Sequence, residues 1–232
     1  MSQQLPLPFE HQPRYNSRDF IHACSNRSAL AWLEANWPEQ RLALFGPQGC
    51  GKSHLLHIWA ERTGGTLLMG STVKELDCLP PRGPLALDDA DLIGDETLLF
   101  HLLNIARDRG LQLLLAADAA PSRWAVRLPD LSSRLRAITA VEIGLPDDEL
   151  LAALLKRLAA DRQLVVSQAA QDWILLHLPR SAAAIRDAVS LLDRESLASG
   201  LAITRSLAVK VLKGEESSIP DVDHSSEAQG LL

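Results

Sequence analysis

Cysteine is scarce, and the three present, Cys24, Cys50 and Cys78, stand far apart with no C-x-x-C pair. That spacing argues for a reducing compartment and against a zinc site. Positive charge is not in excess either. Lys and Arg number 23 against 29 Asp and Glu, a net charge of -6 at pH 7, so there is no global electrostatic case for binding nucleic acid. No apolar run approaches the roughly 18 residues of a membrane-spanning helix, and Met1-Ser2-Gln3-Gln4-Leu5 has neither the basic nor the apolar part of a signal peptide. A cytoplasmic location with no membrane partner is the expectation. Aromatics are few, the seven histidines do not cluster at metal-ligand spacing, and neither a Ser/His/Asp arrangement nor an internal repeat is visible. At 232 residues the chain is long enough to bury a sizeable core, in one large or two small domains.

Against these absences stands one complete motif. Gly46-Pro47-Gln48-Gly49-Cys50-Gly51-Lys52-Ser53 reads G-x-x-x-x-G-K-[ST], a phosphate-binding loop. Four fixed positions at background frequencies arise by chance in roughly 1 in 100 chains of this length. The glycines let successive backbone N–H groups turn inward toward phosphate oxygens. Lys52 has the reach for β- and γ-phosphates, and the Ser53 hydroxyl suits a ligand of Mg²⁺. Leu42-Ala43-Leu44-Phe45 is a buried-strand run just before the loop, and His54 to Arg62 reads as a helix just after it. The helix N-terminus adds its own preference for negative charge. The residues expected to contact a nucleotide here are Gly46, Gly49, Cys50, Gly51, Lys52, Ser53 and His54. His54 and His57, spaced i, i+3, lack a third partner for a metal.

The pattern along the chain changes once. Ser28 to Trp37 has helical apolar spacing, ended by Pro38. Strands are expected at Leu42–Phe45, Thr66–Met69, Leu85–Leu87, Leu111–Leu115 and within Ala137–Ile143. Helices between them, including Asp95 to Arg109 closed by Gly110, predict a parallel sheet with right-handed crossovers. After Gly144-Leu145-Pro146 only helices are predicted: Asp147–Arg162, Ser167–Leu178, Ser181–Ser199 and Thr204–Lys213, with Asp147 and Ser167 as N-caps and Gly200 ending the third. The expected organisation is an extended segment over 1–14, an α/β domain over 15–145, a helical domain over 146–213 and a polar, acidic, disordered tail over 214–232.

Further candidates surround the loop. Asp88 and Asp89 end the strand Leu85–Leu87, where open α/β sheets bind ligands. Asp88 suits the Mg²⁺ shell, acting through water, and Asp89 suits orienting or deprotonating an attacking water. The bland alternative is a turn that favours Asp, since Asp91 follows. Asp118, after the next strand, falls where a polar residue lies between the two acids and a γ-phosphate, or else it is a loop residue. Arg134 in Leu131-Ser132-Ser133-Arg134-Leu135 suits reaching a neighbouring subunit's nucleotide, or is a surface charge. Arg186, with Arg180 as its competitor, suits touching phosphates when the helical domain closes. Its alternatives are a solvated charge or an ion pair with Asp187.

The first nine residues carry a second signal. Gln4-Leu5-Pro6-Leu7-Pro8-Phe9 spaces apolar side chains along a chain that its prolines hold extended. Such a segment loses less entropy on docking into a groove.

Taken in order, these residues resemble the AAA+ ATPases and, within them, the bacterial replication initiator DnaA. Tyr15 to Leu30 looks like the family's segment that cradles adenine, through Phe20, Ile21, Ser25 and Asn26. Gly46–Ser53 matches Walker A, and Leu85–Asp89 matches Walker B with its double Asp. Leu113–Pro121 resembles the sensor 1 strand with Asp118 on the sensor. Leu131–Leu135 resembles the arginine-finger segment with Arg134 as the finger, and Arg186 falls on sensor 2. The resemblance covers about residues 15–213. It implies an AAA+ α/β domain with a central parallel five-stranded sheet, a small all-helical lid, and bound ADP or ATP with Mg.

Two departures from the initiator pattern matter. Only the short acidic tail follows the lid, and Gln4, Leu5, Leu7, Pro8 and Phe9 stand in a peptide like those that bind the DNA polymerase III β sliding clamp. A DnaA-like module with such a peptide resembles regulators of the initiator. That resemblance implies docking on the clamp, contact with DnaA, and contact with DNA only through the clamp. Head-to-tail self-association as a homo-oligomer is compatible with it. Two other readings stand beside it: an autonomous ATPase such as a helicase loader, which the intact Asp88-Asp89 pair favours, and a non-enzymatic DnaA-like adaptor.

Overall fold

The computed structural model describes residues 20–214. The clamp-like peptide of Gln4–Phe9, the segment Tyr15–Asp19 and the tail beyond Gly214 lie outside the described residues.

Five short apolar runs form strands: β1 (Arg41–Phe45), β2 (Thr66–Met69), β3 (Leu85–Asp88), β4 (Leu113–Ala117) and β5 (Thr139–Glu142). They make one sheet in the order β2-β3-β4-β1-β5, and every pairing is parallel. Apart from Arg41 at the start of β1 and Asp88 at the end of β3, the central runs are apolar because both faces are covered. Successive side chains alternate between faces. Ala43, Leu85, Leu87, Leu113 and Leu115 enter one core, and Leu42, Leu44, Ala86, Leu114 and Ala116 enter the other. Helices α1 (Arg27–Glu34) and α2 (Lys52–Thr63) bury Ala29, Leu33, Leu55, Leu56 and Trp59 in the second of these. Helices α3 (Glu96–Asp108) and α4 (Pro129–Ala137) bury Leu99, Leu102, Leu103, Leu131 and Leu135 in the first.

Boundaries depart from the sequence expectation for local reasons. α1 ends at Glu34 rather than at Trp37. Pro38 disfavours helical geometry in the residue before it, and Trp37 is extended, stacked on Trp59 with ring centres 5.3 Å apart. β4 begins at Leu113 rather than Leu111, because the Leu111 N–H donates back to Ala106 and closes α3. α4 is a helix that the sequence pattern does not announce. Its Pro129 fits the first helical position, where no N–H is needed, and Leu131 and Leu135, at i, i+4, are both buried. α4 uses Ala137, so β5 is shorter than the Ala137–Ile143 run.

Beyond Pro146 the elements are helices α5 (Asp148–Asp161), α6 (Gln168–His177), α7 (Ala182–Ser199) and α8 (Arg205–Gly214). Asp147, Ser167 and Ser181 each accept a first-turn N–H and act as N-caps. The four share their own core around Leu155, Trp173, Ile174, Ile185 and Leu192. A lone bridge pairs Val166 with Ile203. Among the described residues no helix is long and apolar enough to cross a membrane.

Candidate functional site

The strand order fixes the site. β4 lies between β1 and β3, so the loop after β1, the acids ending β3 and Asp118 after β4 emerge side by side at the carboxyl edge of the sheet.

The loop is tightly held. A Cβ on Gly46 would sit 2.2 Å from the Ile143 carbonyl oxygen, and Gly51, at φ 107°, leads into α2 from the left-handed region. Both positions favour glycine for that reason. Lys52 is 6% exposed. Its ammonium donates to the Gly46 carbonyl at 2.6 Å, the Pro47 carbonyl at 3.3 Å and the Asp118 carboxylate at 2.9 Å. A buried cation is thus held over the concave face of the loop by three oxygens, the oxygen environment that phosphate groups also supply. Ser53 is half-buried in the first turn of α2, and its hydroxyl has no hydrogen-bond partner among the described residues.

The acids differ in environment. Asp88 is 2% exposed, and one of its oxygens accepts the Asp89 N–H at 3.1 Å. Asp89 is in the left-handed conformation at φ 48°, ψ 47°. Its carboxyl is pushed above the usual range, first by burial and then by the charges of Asp88 and Asp91. Gly70 abuts this turn: a Cβ there would lie 2.1 Å from the Asp89 carbonyl oxygen. Burial pushes the His57 imidazole below its usual range, opposed by Asp88. Burial likewise raises the Cys50 thiol, opposed chiefly by Lys52.

On the other side of the loop, Phe20 meets His54 edge-on at 5.3 Å. Ile21 packs against the helical core. Asn26, 3% exposed, ties this segment together: its amide donates to the Ile21 carbonyl at 2.9 Å and its carbonyl accepts the Ala23 N–H. A cavity of about 460 Å³ opens here between the segment from Ile21, α1 and α5. The N-terminus of α7 comes down on the loop, where a Cβ on Gly49 would lie 2.7 Å from Ser181 Cβ. Arg186 is five residues further along α7, about 7.5 Å of rise. It is half-buried, and its guanidinium has no hydrogen-bond or ion-pair partner among the described residues. Arg180 instead pairs with Asp148, and the Arg186–Asp187 pair that the sequence allows does not form.

Arg134 is not part of this constellation. It lies on α4 with its guanidinium 4.9 Å from the centre of the Phe100 ring. It lines a cavity with Arg41 and Leu111, at the opposite edge of the sheet, where the strands begin. The structure therefore brings together Phe20, Gly46, Gly49, Cys50, Gly51, Lys52, Ser53, His54, Asp88, Asp89 and Asp118, places α7 with Arg186 over them, and separates Arg134. Sequence reasoning passed over three contributors. Asp91, read as one more acid of a turn, accepts the Asp118 N–H at 3.2 Å. Gly70 and Ser181 contribute through close approach, which no sequence spacing announces.

A glycine loop after β1 closing on a buried Lys52, two acids at the end of β3 and a following helical domain give a P-loop module with the AAA+ fold. No family model matches the chain. It is similar to chromosomal replication initiator protein DnaA of Mesorhizobium japonicum, 28% identical over 207 residues, covering 73% of this chain and 41% of that protein. An uncharacterised Haemophilus influenzae protein is 29% identical over 230 residues, covering 91% of this chain and 99% of that protein. Domain III of Thermotoga maritima DnaA superposes with a TM-score of 0.73 at 19% identity, over 88% of this chain and 97% of that one. AMPPCP-bound DnaA of Aquifex aeolicus gives 0.68 at 19% identity, over 89% and 70%. In fold and in sequence the chain is similar to the AAA+ domain of DnaA, and it spans about two fifths of the length of the DnaA relative.

Proposed function

We propose that this chain is a nucleotide-bound regulator of replication initiation of the Hda kind, which docks on the DNA-loaded sliding clamp and stimulates ATP hydrolysis by DnaA through Arg134. The observation that carries the reading is the separation of two sites. Lys52 and the acids lie at the carboxyl edge of the sheet, and Arg134 lies at the other. An arginine so placed does not serve the nucleotide of its own chain and is available to a neighbour's. Supporting it are the similarity to DnaA and the clamp-like peptide of Gln4, Leu5, Leu7, Pro8 and Phe9.

In this reading the loop holds ADP or ATP, with Lys52 moving from Asp118 onto the phosphates and Arg186 approaching as the lid closes. Phe20, Ile21 and His54 lie where the base and ribose are expected. The donor set suits Mg²⁺ completed by phosphate and water: one buried carboxylate at Asp88 acting through water, an uncommitted hydroxyl at Ser53, and no group of three protein ligands among the described residues. When bound, Mg²⁺ neutralises phosphate charge. Asp89, with its raised pKa, and Asp118 orient water at the terminal phosphate, so weak turnover by the chain itself is compatible with the site.

The test is DnaA-bound ATP hydrolysis with and without DNA-loaded clamp. Stimulation that requires both the clamp and this protein, and that disappears in Arg134→Ala while nucleotide affinity stays within about twofold, is expected. Undiminished stimulation by Arg134→Ala overturns the finger role. The second reading, an autonomous ATPase, has the complete Asp88-Asp89 pair in its favour, and brisk hydrolysis by the purified protein without DnaA would establish it.

A further inference from the structure

The cavity beside Arg134 has a volume of about 530 Å³ and is lined by Arg41, Arg107 and Arg134, with Glu39 and Gln40 at its rim. The three arginines come from β1, α3 and α4, so no one element explains their meeting. Arg41 is 4% exposed, yet its Nη2 has no hydrogen-bond partner among the described residues. Among the described residues its Nη1 meets the Glu39 carboxylate at 3.6 Å, and Glu39 is itself 66% exposed. Burial lowers the hold of Arg41 on its proton, an effect that Glu39 opposes and the charges of Arg107 and Arg134 reinforce. Arg107 donates one N–H to Asp108 at 3.1 Å, and Arg134 lies against the Phe100 ring. Each guanidinium has five donors in a planar fork, so most are uncommitted here.

Three converging guanidinium groups, one buried and incompletely paired, call for a ligand with several oxygens and more than one negative charge. Phosphate meets that demand with bidentate geometry, and a single carboxylate does not. The nucleotide of this chain does not reach the basin, because β1 runs its whole length between the two, five residues at about 3.3 Å each. We propose that Arg41, Arg107 and Arg134 form a phosphate-binding basin, with Arg41 as its buried anchor, that receives the terminal phosphates of a nucleotide held by a neighbouring AAA+ module. A free polyphosphate offers the same chemistry. The assignment to a neighbour's nucleotide rests on the trans role proposed for Arg134, whereas the basin itself does not.

Titration calorimetry with inorganic tripolyphosphate, on full-length protein saturated with ADP, reads the basin with the phosphate loop filled. Arg41→Gln and Arg107→Gln are each expected to weaken this binding at least about tenfold, and Lys52→Ala is expected to leave it unchanged. Wild-type affinity in both arginine variants overturns the basin, as does loss of binding in Lys52→Ala. Arg107 is exposed, so its variant tests the idea without threatening the fold. Arg41→Gln is expected to raise Tm while weakening phosphate binding, because an incompletely paired buried guanidinium is removed. A purely structural Arg41 gives a lower Tm instead.

The second arm measures stimulation of DnaA-bound ATP hydrolysis. Loss of stimulation in Arg107→Gln, alongside loss of tripolyphosphate binding, assigns the phosphates to the neighbour's nucleotide. Full stimulation with tripolyphosphate binding lost assigns the basin to a free polyphosphate and overturns the neighbour's role. If Arg134→Ala abolishes stimulation while the Arg41 and Arg107 variants change neither readout, the proposed function stands and the basin falls.

Discussion

The Lys52 ammonium lies 2.9 Å from the Asp118 carboxylate, joining the phosphate loop to the end of β4 across 66 positions of sequence. Lys52 is buried and Asp118 is exposed, so the acid is the partner free to leave. A nucleotide entering the loop has to draw Lys52 away from it.

Removing that competition has a predictable sign. An ion pair whose acid is solvent-screened contributes about 1 kcal/mol, so Asp118→Asn is expected to tighten ADP binding by up to roughly fivefold. Lys52→Ala is expected to weaken it by at least about thirtyfold, since a buried charge-assisted contact is lost. Calorimetric titration with ADP reads both. Weaker binding in Asp118→Asn assigns Asp118 a direct contact with the nucleotide or its metal shell instead.

The raised pKa of Asp89 sets a pH signature. A carboxyl whose folded pKa lies above its unfolded value costs stability when ionised. The cost is absent below the unfolded pKa near 4 and complete above the folded pKa. Asp89→Asn keeps a residue type that tolerates the left-handed conformation. Its Tm is expected to exceed that of the wild type at pH 7, with the difference closing as pH falls toward about 4. A gap that widens on acidification refutes this account, and thermal melts across the range decide it.

Gly70→Ala is expected to damage the turn that presents Asp89, since the new methyl meets the Asp89 carbonyl oxygen at 2.1 Å. Overpacking of this kind costs about 1–3 kcal/mol, a fall in Tm of roughly 2–12 °C in a chain of this size. A methyl group on Gly94 would have nothing within 4 Å, so Gly94→Ala serves as the control and is expected to stay within about 0.5 kcal/mol. Equal melting shifts for the two variants would falsify the close-approach argument.

If Gln4–Phe9 docks on the clamp as proposed, Gln4→Ala combined with Leu7→Ala is expected to abolish binding to the immobilised sliding clamp while leaving ADP affinity unchanged. Surface plasmon resonance and the ADP titration check the two halves. Retained clamp affinity removes the peptide from the proposed function.

Much of the fold is legible in sequence where a signal is short-range. The apolar runs of β1, β3 and β4 mark strands covered on both faces, and Asp147, Ser167 and Ser181 mark helix starts within a few residues. α4 escapes because Ser132, Ser133, Arg134 and Arg136 dilute its apolar spacing, and only the burial of Leu131 and Leu135 makes it a helix with a purpose. The end of α1 escapes because the pairing of Trp37 with Trp59 depends on a residue in another helix.

The site divides in the same way. The loop from Gly46 to Ser53 and the pair Asp88-Asp89 are legible in sequence, since their chemistry resides in neighbouring residues. It takes the folded chain to rest Lys52 on Asp118, bring Ser181 to Gly49, and stand Arg134 with Arg41 and Arg107 at the far edge of the sheet. Those relationships depend on the order β2-β3-β4-β1-β5, which is set by how the crossover helices pack on the two faces and which local spacing does not encode.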